Sequence, residues 1–316
     1  METSRRTPPE AMYFGDWTHY SDAVAAFFHA TPAGARPQPP QDASPARRLR
    51  DALEPIAMHP VWSATTNERL AGLGLDFLSG YVCGRAAALG EPDPGVVVAA
   101  FAVFEPSMIR SVFHEGRRAC RRDKLIAART ESTVASLNGV LGGTDVSTLA
   151  DVLHSALTSA DATGRPLFSG LLGQPSPADP VGRLWRACDL AREHRGDSYV
   201  AVCVAAGLGP IEMNILTELW VGMPLGSYTA TRGWPADAIV RAADGLRAVG
   251  WLDGAELSPE GRTFRTELET STDVLEQPIV DALAADLEVV IERLADLSAR
   301  CIAGTFPPDA YKRAAG

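Results

Sequence analysis

Two arginines stand where a charged side chain is unexpected, and they are well suited to bind a ligand. Arg85 follows Tyr81 by four residues in the segment Gly80–Gly90, which otherwise consists of small and apolar residues. The Arg85 guanidinium either pairs with a carboxylate, for which Glu54 and Glu105 are candidates, or holds a ligand carboxylate or phenolate through its fork of donors.

The second arginine, Arg195, belongs to the run His194–Asp197, which reads HRGD. Gly196 allows a turn and Asp197 is a natural N-cap, so one interpretation is a junction between helices with Arg195 paired to a carboxylate elsewhere. In the other interpretation, Arg195 and the nearby Tyr199 line a cavity.

A weak internal repeat relates the two arginine motifs, because residues 81–92 can be aligned with residues 199–210. Pseudo-symmetric packing would bring both motifs to one interface between the two halves of the chain. A buried arginine there needs a carboxylate, water or a ligand, since an unpaired buried charge is costly. The predicted ligand-binding residues are Tyr81, Arg85, Glu105, Arg195, Asp197, Tyr199 and Trp220. Among them, Asp197 and Glu105 are the candidate partners or acid–base groups.

Motifs for metals, cofactors and activated nucleophiles are absent from the sequence. The six histidines show no HxxxH or HxH spacing, and the five cysteines form no CxxC. GxGxxG, GxxxxGK and GxSxG are also missing. No metal and no cofactor are therefore predicted. Scattered thiols, a polar beginning and apolar runs far shorter than about 18 residues favour a cytoplasmic protein with no membrane partner.

The charge balance argues against nucleic acid as a partner. The formal net charge is -10, and an acidic protein repels phosphate backbones unless it has a local basic patch. The helix expected to read DNA, residues 236–249, carries two aspartates and two arginines. The short wing that follows adds Asp253 and Glu256. DNA binding is therefore expected to be unlikely.

Helical periodicity runs through the first half of the chain, with no strand-like alternation, and predicts a mainly α protein. Its helical N-terminal array could be a degenerate winged-helix-like repeat. In the second half, helices predicted at 197–207, 210–221 and 235–249, a short hairpin flanking Asp253–Gly254 and a helix from Pro259 follow in the order of a winged helix. The predicted domains are an extension with a Pro-rich linker (1–43), a helical domain (44–163), a linker (164–180), a winged-helix domain (181–277) and a C-terminal docking helix with tail (278–316).

The terminal helix, predicted at 278–302, carries an apolar stripe from Ile279 to Leu294. Such a stripe is wider than a solvent-facing helix needs. We expect it to pack either in a homodimer interface or across the N-terminal half.

Several short segments together resemble an actinobacterial family of two-part winged-helix proteins, whose members usually carry only a helix-turn-helix or MarR-like label. The resemblance spans about residues 46–300, and the chain departs from it at Ala88, Tyr199, Gly226 and Ala230. It implies a winged-helix fold and a divergent, specialised member. The matching residues are Leu53–Ile56, Gly80–Gly90, His194–Ser198, Ala205–Leu208, Leu216–Trp220, Pro224–Leu225, Ser227–Tyr228, Thr231–Trp234 and Thr272–Asp273.

Three functional hypotheses follow. The first is a winged-helix scaffold that binds a small, largely apolar metabolite between its halves, as a sequestering protein or a cofactor-free enzyme of specialised metabolism. The second is a ligand-responsive MarR-like transcription regulator. The third is a structural dimeric partner protein.

Overall fold

The computed structural model describes residues 43–306, which form a mainly helical protein with one two-stranded hairpin. The predicted fold class is confirmed: a helical N-terminal array precedes a C-terminal winged helix. Most of the predicted N-terminal extension and the end of the tail lie outside the described residues.

The N-terminal array starts at Pro45, because Ser44 caps the first helical turn by accepting a hydrogen bond from the backbone N–H of Arg47. Proline at the first helical position recurs along the chain, since its missing N–H has no helical partner there in any case. The helices of the array are α1 (Pro45–Ala57), α2 (His59–Trp62), α3 (Ala64–Ala71), α4 (Phe77–Ala86), α5 (Pro94–Phe101), α6 (Pro106–Ala119), α7 (Arg122–Leu141), α8 (Ser147–Thr158) and α9 (Pro166–Leu172).

The second part begins with a long helix that Asp179 caps, as its sequence predicts. The hairpin of this second part has two antiparallel strands, in which Leu252 lies opposite Leu257 and Asp253 lies opposite Glu256. Asp253 thus belongs to the hairpin's first strand rather than to its turn, a correction of one residue. The elements are α10 (Pro180–Ala205), α11 (Pro210–Trp220), α12 (Ser227–Ala230), α13 (Ala236–Ala248), β1 (Leu252–Asp253), β2 (Glu256–Leu257), α14 (Pro259–Leu283) and α15 (Leu287–Thr305).

Helix α10 connects two hydrophobic cores. Its first half, around the fully buried Trp185, packs in the core of the N-terminal array. Its last turns contribute Cys203 to a smaller core shared by α11, α13, the hairpin and the start of α14. No single described helix has both the length and the hydropathy of a membrane span; α10 and α11 reach them only as a pair, which is bent by 113°.

The terminal apolar stripe returns to the N-terminal array. Ile279, Leu283 and Leu294 are at most 2% exposed and belong to its core, which agrees with the second of the two packing alternatives. A helix start at 278 was wrong: α14 runs through Pro278, and the break falls at Ala284, whose φ of 44° is left-handed. The homodimer stays a prediction.

Two further expectations about local structure were wrong. Asp197 does not cap a following helix, because α10 continues through Gly196 as one helix. The segment predicted as a linker, 164–180, contains helix α9. This helix packs so closely that the Cα of Gly170 faces the Ala88 carbonyl oxygen; a Cβ there would lie 2.0 Å from that oxygen. Glycine is required for this contact.

Candidate functional site

A cavity of about 40 Å³ lies between the N-terminal array and the first half of α10. Its apolar wall comes from α1–α4 and α9, with Leu70, Phe77 and Leu171 among the contributors. Its polar wall comes from α4, α7 and α10. We call it the arginine cavity, and its polar lining includes Tyr81, Arg85, Arg129, Asp189, Arg192 and Glu193.

Arg85 is paired inside this wall with a carboxylate of α10. Its Nε donates to Glu193 Oε1 at 2.9 Å and its Nη2 to Oε2 at 2.8 Å. Burial raises the pKa of Glu193, but the cations of Arg85 and Arg192 outweigh burial and hold it below its usual value. The expected partners of Arg85, Glu54 and Glu105, were both wrong. Glu54 instead accepts from Arg192 Nε at 3.1 Å.

Tyr81 also lines the cavity, close enough to Arg85 for that cation to act on the phenol. Its ring contacts those of Phe101 and Phe104, with centroids 6.5 and 6.0 Å away. Burial raises the pKa of Tyr81, but the positive charges of Arg85, Arg192 and Arg232 together lower it below its usual value. The phenol therefore sits in an electropositive environment.

A second group of charges lies at the α7–α10 contact. Arg129 approaches Asp189 only at 3.5 Å, with both terminal nitrogens facing the same oxygen. Arg186 is 2% exposed, and its Nε and Nη1 have no hydrogen-bond partner among the described residues. Burial lowers the pKa of Arg186, and the neighbouring Arg129 lowers it further, while Asp189 opposes both effects.

Three predicted site residues lie elsewhere, in what we call the Glu269 cluster. Arg195 Nη2 and Arg47 Nη1 both donate to Glu269 Oε1, and Arg265 Nη1 donates to Oε2 at 2.9 Å. Arg265 lies over the rings of Tyr199 and Trp220, 5.2 and 4.3 Å from their centroids. Arg195 is thus paired with a carboxylate, as the first interpretation of its motif holds.

Arg195 has a further acidic neighbour. Its Nη1 lies 2.8 Å from Asp273 Oδ1. The two groups form an ion pair, but their geometry is not that of a hydrogen bond. The hydroxyl of Tyr199 shares a hydrogen bond with that of Thr217 at 2.8 Å. The Glu269 cluster is therefore an internal polar junction between α1, α10 and α14.

The two acidic candidates are helix caps. Asp197 Oδ2 accepts from the backbone N–H groups of Leu167 and Phe168, so it caps α9 from α10. Burial raises its pKa to about 6. Glu105 caps α6 by accepting from the Met108 N–H at 2.7 Å. Neither lines the arginine cavity, so the structure does not bring the seven predicted residues together: only Tyr81 and Arg85 share it.

Sequence reasoning missed four charged residues of the cavity wall. Three of them, Asp189, Arg192 and Glu193, follow Trp185 on a helix whose residues are mostly buried as far as Ser198. Their spacing of three and four residues on a buried helix was a usable signal. Arg129 gave no such signal, because it lies in a helix with many exposed polar positions.

Helix α13 of the winged helix carries two aspartates and two arginines, so its own charges balance. On α13, Arg241 bonds Asp237 at 2.6 Å and Arg247 bonds Asp244 at 2.7 Å. Arg247 Nε also donates to the Gly254 carbonyl of the wing at 2.8 Å. Both α13 arginines are therefore held by partners within the same unit.

Comparison with known proteins gives one match. The model of the helix-turn-helix family matches residues 46–308, which is most of the chain. The chain belongs to the helix-turn-helix family. No curated protein and no solved structure matches it. Within the described residues, no group of histidine, cysteine, aspartate and glutamate side chains is arranged to hold a metal ion.

Proposed function

We propose that this protein uses its helix-turn-helix scaffold to bind a small molecule in the arginine cavity. The observation that carries the proposal is the junction of three guanidiniums and the Tyr81 phenol around one cavity. Convergent polar groups on an otherwise apolar wall are typical of ligand sites. Ala88, where the chain departs from the family it resembles, also lines the cavity and supports a specialised ligand.

The charges of the winged helix support a role other than sequence-specific DNA binding. On α13 and the wing, four carboxylates (Asp237, Asp244, Asp253 and Glu256) face two arginines (Arg241 and Arg247), a balance of -2. DNA binding depends on neutralising phosphates, and both arginines are already paired with aspartates. The ligand-responsive regulator remains the second candidate, because family membership favours it.

The sequestering role and the cofactor-free enzyme differ in what Tyr81 does. In an enzyme, Tyr81 is the acid–base candidate, since Asp197 and Glu105 are occupied as helix caps.

Native mass spectrometry of freshly purified protein tests the proposal. We expect a bound small molecule that is retained under native conditions and lost on denaturation. Tyr81→Phe and Arg85→Gln should reduce its occupancy, while Arg195→Gln, in the Glu269 cluster, should retain it in the folded fraction. A protein that carries no molecule and gains no thermal stability from a metabolite collection would contradict the proposal.

The regulator is tested separately by gel retardation at low salt. Tight, salt-sensitive retardation of a particular duplex, lost on Arg241→Gln with Arg247→Gln, would establish DNA binding. We expect no such complex.

A further inference from the structure

Resting on the proposed function, we propose that the ligand carries an oxyanion group, a carboxylate or a phosphate, and that Arg129 receives it. The cavity wall holds three guanidiniums, and they differ in how closely carboxylates pair with them. The least closely paired guanidinium lies at one corner of the cavity.

At the α4–α10 side, the charges are matched. Arg85 and Arg192 share two carboxylates, Glu193 and Glu54, through hydrogen bonds of 2.8 to 3.1 Å. Such lengths are typical of charge-assisted pairs. Both cations here therefore already have a counter-charge within the protein.

At the α7–α10 side, the charges are not matched. Arg129 and Arg186 both neighbour the single carboxylate of Asp189, and the Arg129 contact is long, at 3.5 Å. Arg186 does not line the cavity; it is 2% exposed and adds a second positive charge beside Asp189. Arg129, which does line the cavity, therefore has only a shared and distant counter-charge, so an anion in the cavity would be favourable at this corner.

Packing holds the Arg129 guanidinium in place without using its donors. Its Cζ lies 4.9 Å from the centroid of the Trp185 ring, and the Arg186 Cζ lies 5.5 Å from the same ring. Gly84 makes room for it, since a Cβ at that position would lie 3.2 Å from Arg129 Cδ. The Arg129 guanidinium is therefore held in position, and its contact with the Asp189 carboxylate is long.

The size of the cavity limits the ligand group. A volume of about 40 Å³ exceeds the minimum for one water but is far below that of a drug-sized pocket. It suits an oxyanion headgroup. Met58, Val61 and Phe77 are half-buried lining residues and form an apolar rim. The favoured ligand is thus a small anion with an apolar tail that lies along this rim.

Isothermal titration with matched probes tests the inference. Hexanoate and hexanamide share a tail but differ in charge, and inorganic phosphate supplies an oxyanion without a tail. We expect hexanoate to bind at least tenfold more tightly than hexanamide. Phosphate binding would show that an oxyanion headgroup is sufficient for binding. If hexanoate binds and phosphate does not, the recognised headgroup is a carboxylate. Either result supports the inference.

Two variants with opposite expected effects on hexanoate binding test whether Arg129 receives the oxyanion. Arg129→Gln should weaken hexanoate binding by about tenfold or more, as expected for a lost charged hydrogen bond. Asp189→Asn should strengthen it, because it removes the competing carboxylate, and a purely structural role would not predict a gain. Arg183→Gln, which changes a half-buried arginine on the same helix that pairs with Asp151 outside the cavity, is the control and should leave hexanoate binding unchanged. If Arg129→Gln does not fold, Asp189→Asn decides alone.

Equal binding of hexanoate and hexanamide, or binding indifferent to Arg129 and Asp189, would overturn the oxyanion assignment while leaving a ligand site. Absence of binding by every probe, together with no molecule in native mass spectra, would overturn the proposed function as well.

Discussion

The guanidinium of Arg85 and the carboxylate of Glu193 form a bidentate pair across 108 residues of sequence. This pair joins α4 of the N-terminal array to the middle of α10. The same carboxylate accepts a hydrogen bond from Arg192 Nη1 at 2.8 Å. Glu193 therefore neutralises two cations at once, and it fixes the side of the arginine cavity that faces α10.

Removal of the Glu193 charge should destabilise the protein strongly. Glu193→Gln leaves Arg85 and Arg192 buried with too little negative charge, so we expect a loss of about 3 kcal/mol in the free energy of unfolding. Urea denaturation at pH 7 measures it. Glu288→Gln, which breaks an exposed pair with Arg48, should cause no resolvable loss. Equal stability of the two variants would contradict the structural importance of Glu193.

Asp197 should make the protein less stable as the pH rises. Burial raises its pKa to about 6 in the folded state, above the ordinary value of 3.8. The folded protein therefore holds this proton more tightly than the unfolded chain, and stability falls between about pH 4 and pH 6. Asp197→Asn keeps an oxygen that can accept from Leu167 and Phe168. We expect it to match the wild type near pH 4 and to exceed it by up to about 3 kcal/mol at pH 8.

Urea denaturation at pH 4, 6 and 8 provides the comparison for Asp197. Asp281→Asn, an exposed aspartate, is the control and should follow the wild-type pH curve. A lower stability of Asp197→Asn at pH 8 would show that the carboxylate charge stabilises α9 after all.

Glu218 holds the start of α12, the short helix between α11 and α13. It is fully buried, and it accepts hydrogen bonds from the backbone N–H groups of Gly226, Tyr228 and Thr229. Glu218→Ala would leave three donors unpaired, so we expect a loss of about 3 kcal/mol or more. Glu218→Gln retains one acceptor oxygen and should lose less. Chemical denaturation of both variants decides this, and equal losses would argue against the hydrogen bonds as the cause.

Much of the fold could be predicted because its signals are local. Ser44 and Asp179 cap the helices they precede, as their sequences indicate, and the hairpin lies where its turn residues place it. Local signals failed where packing overrides them. Asp197 has the sequence context of an N-cap, yet α10 continues because its buried faces contact both cores.

The site was predictable only in part, because its pairings are long-range. Tyr81 and Arg85 were both named from one unusual segment, which forms helix α4, and both line the cavity. The choice of Glu193 over Glu54 depends on how α4 packs against α10, and no local pattern records that. The weak repeat suggested that Arg85 and Arg195 would meet at one interface. Instead, Arg85 pairs with Glu193 and Arg195 pairs with Glu269.

Glu269 should give the opposite pH response to Asp197. Burial raises the pKa of Glu269, but Arg265, Arg47 and Arg195 outweigh burial and lower it to about 2. Its stabilising effect is then complete above about pH 4.5 and is lost as the pH falls towards 2. Glu269→Gln should cost about 3 kcal/mol at pH 7, and the difference from the wild type should shrink steadily by pH 3. Glu260→Gln, exposed on the same helix, should show no difference at either pH. A gap between Glu269→Gln and the wild type that stays constant from pH 7 to pH 3 would mean that the ionised carboxylate is not what holds the three arginines together.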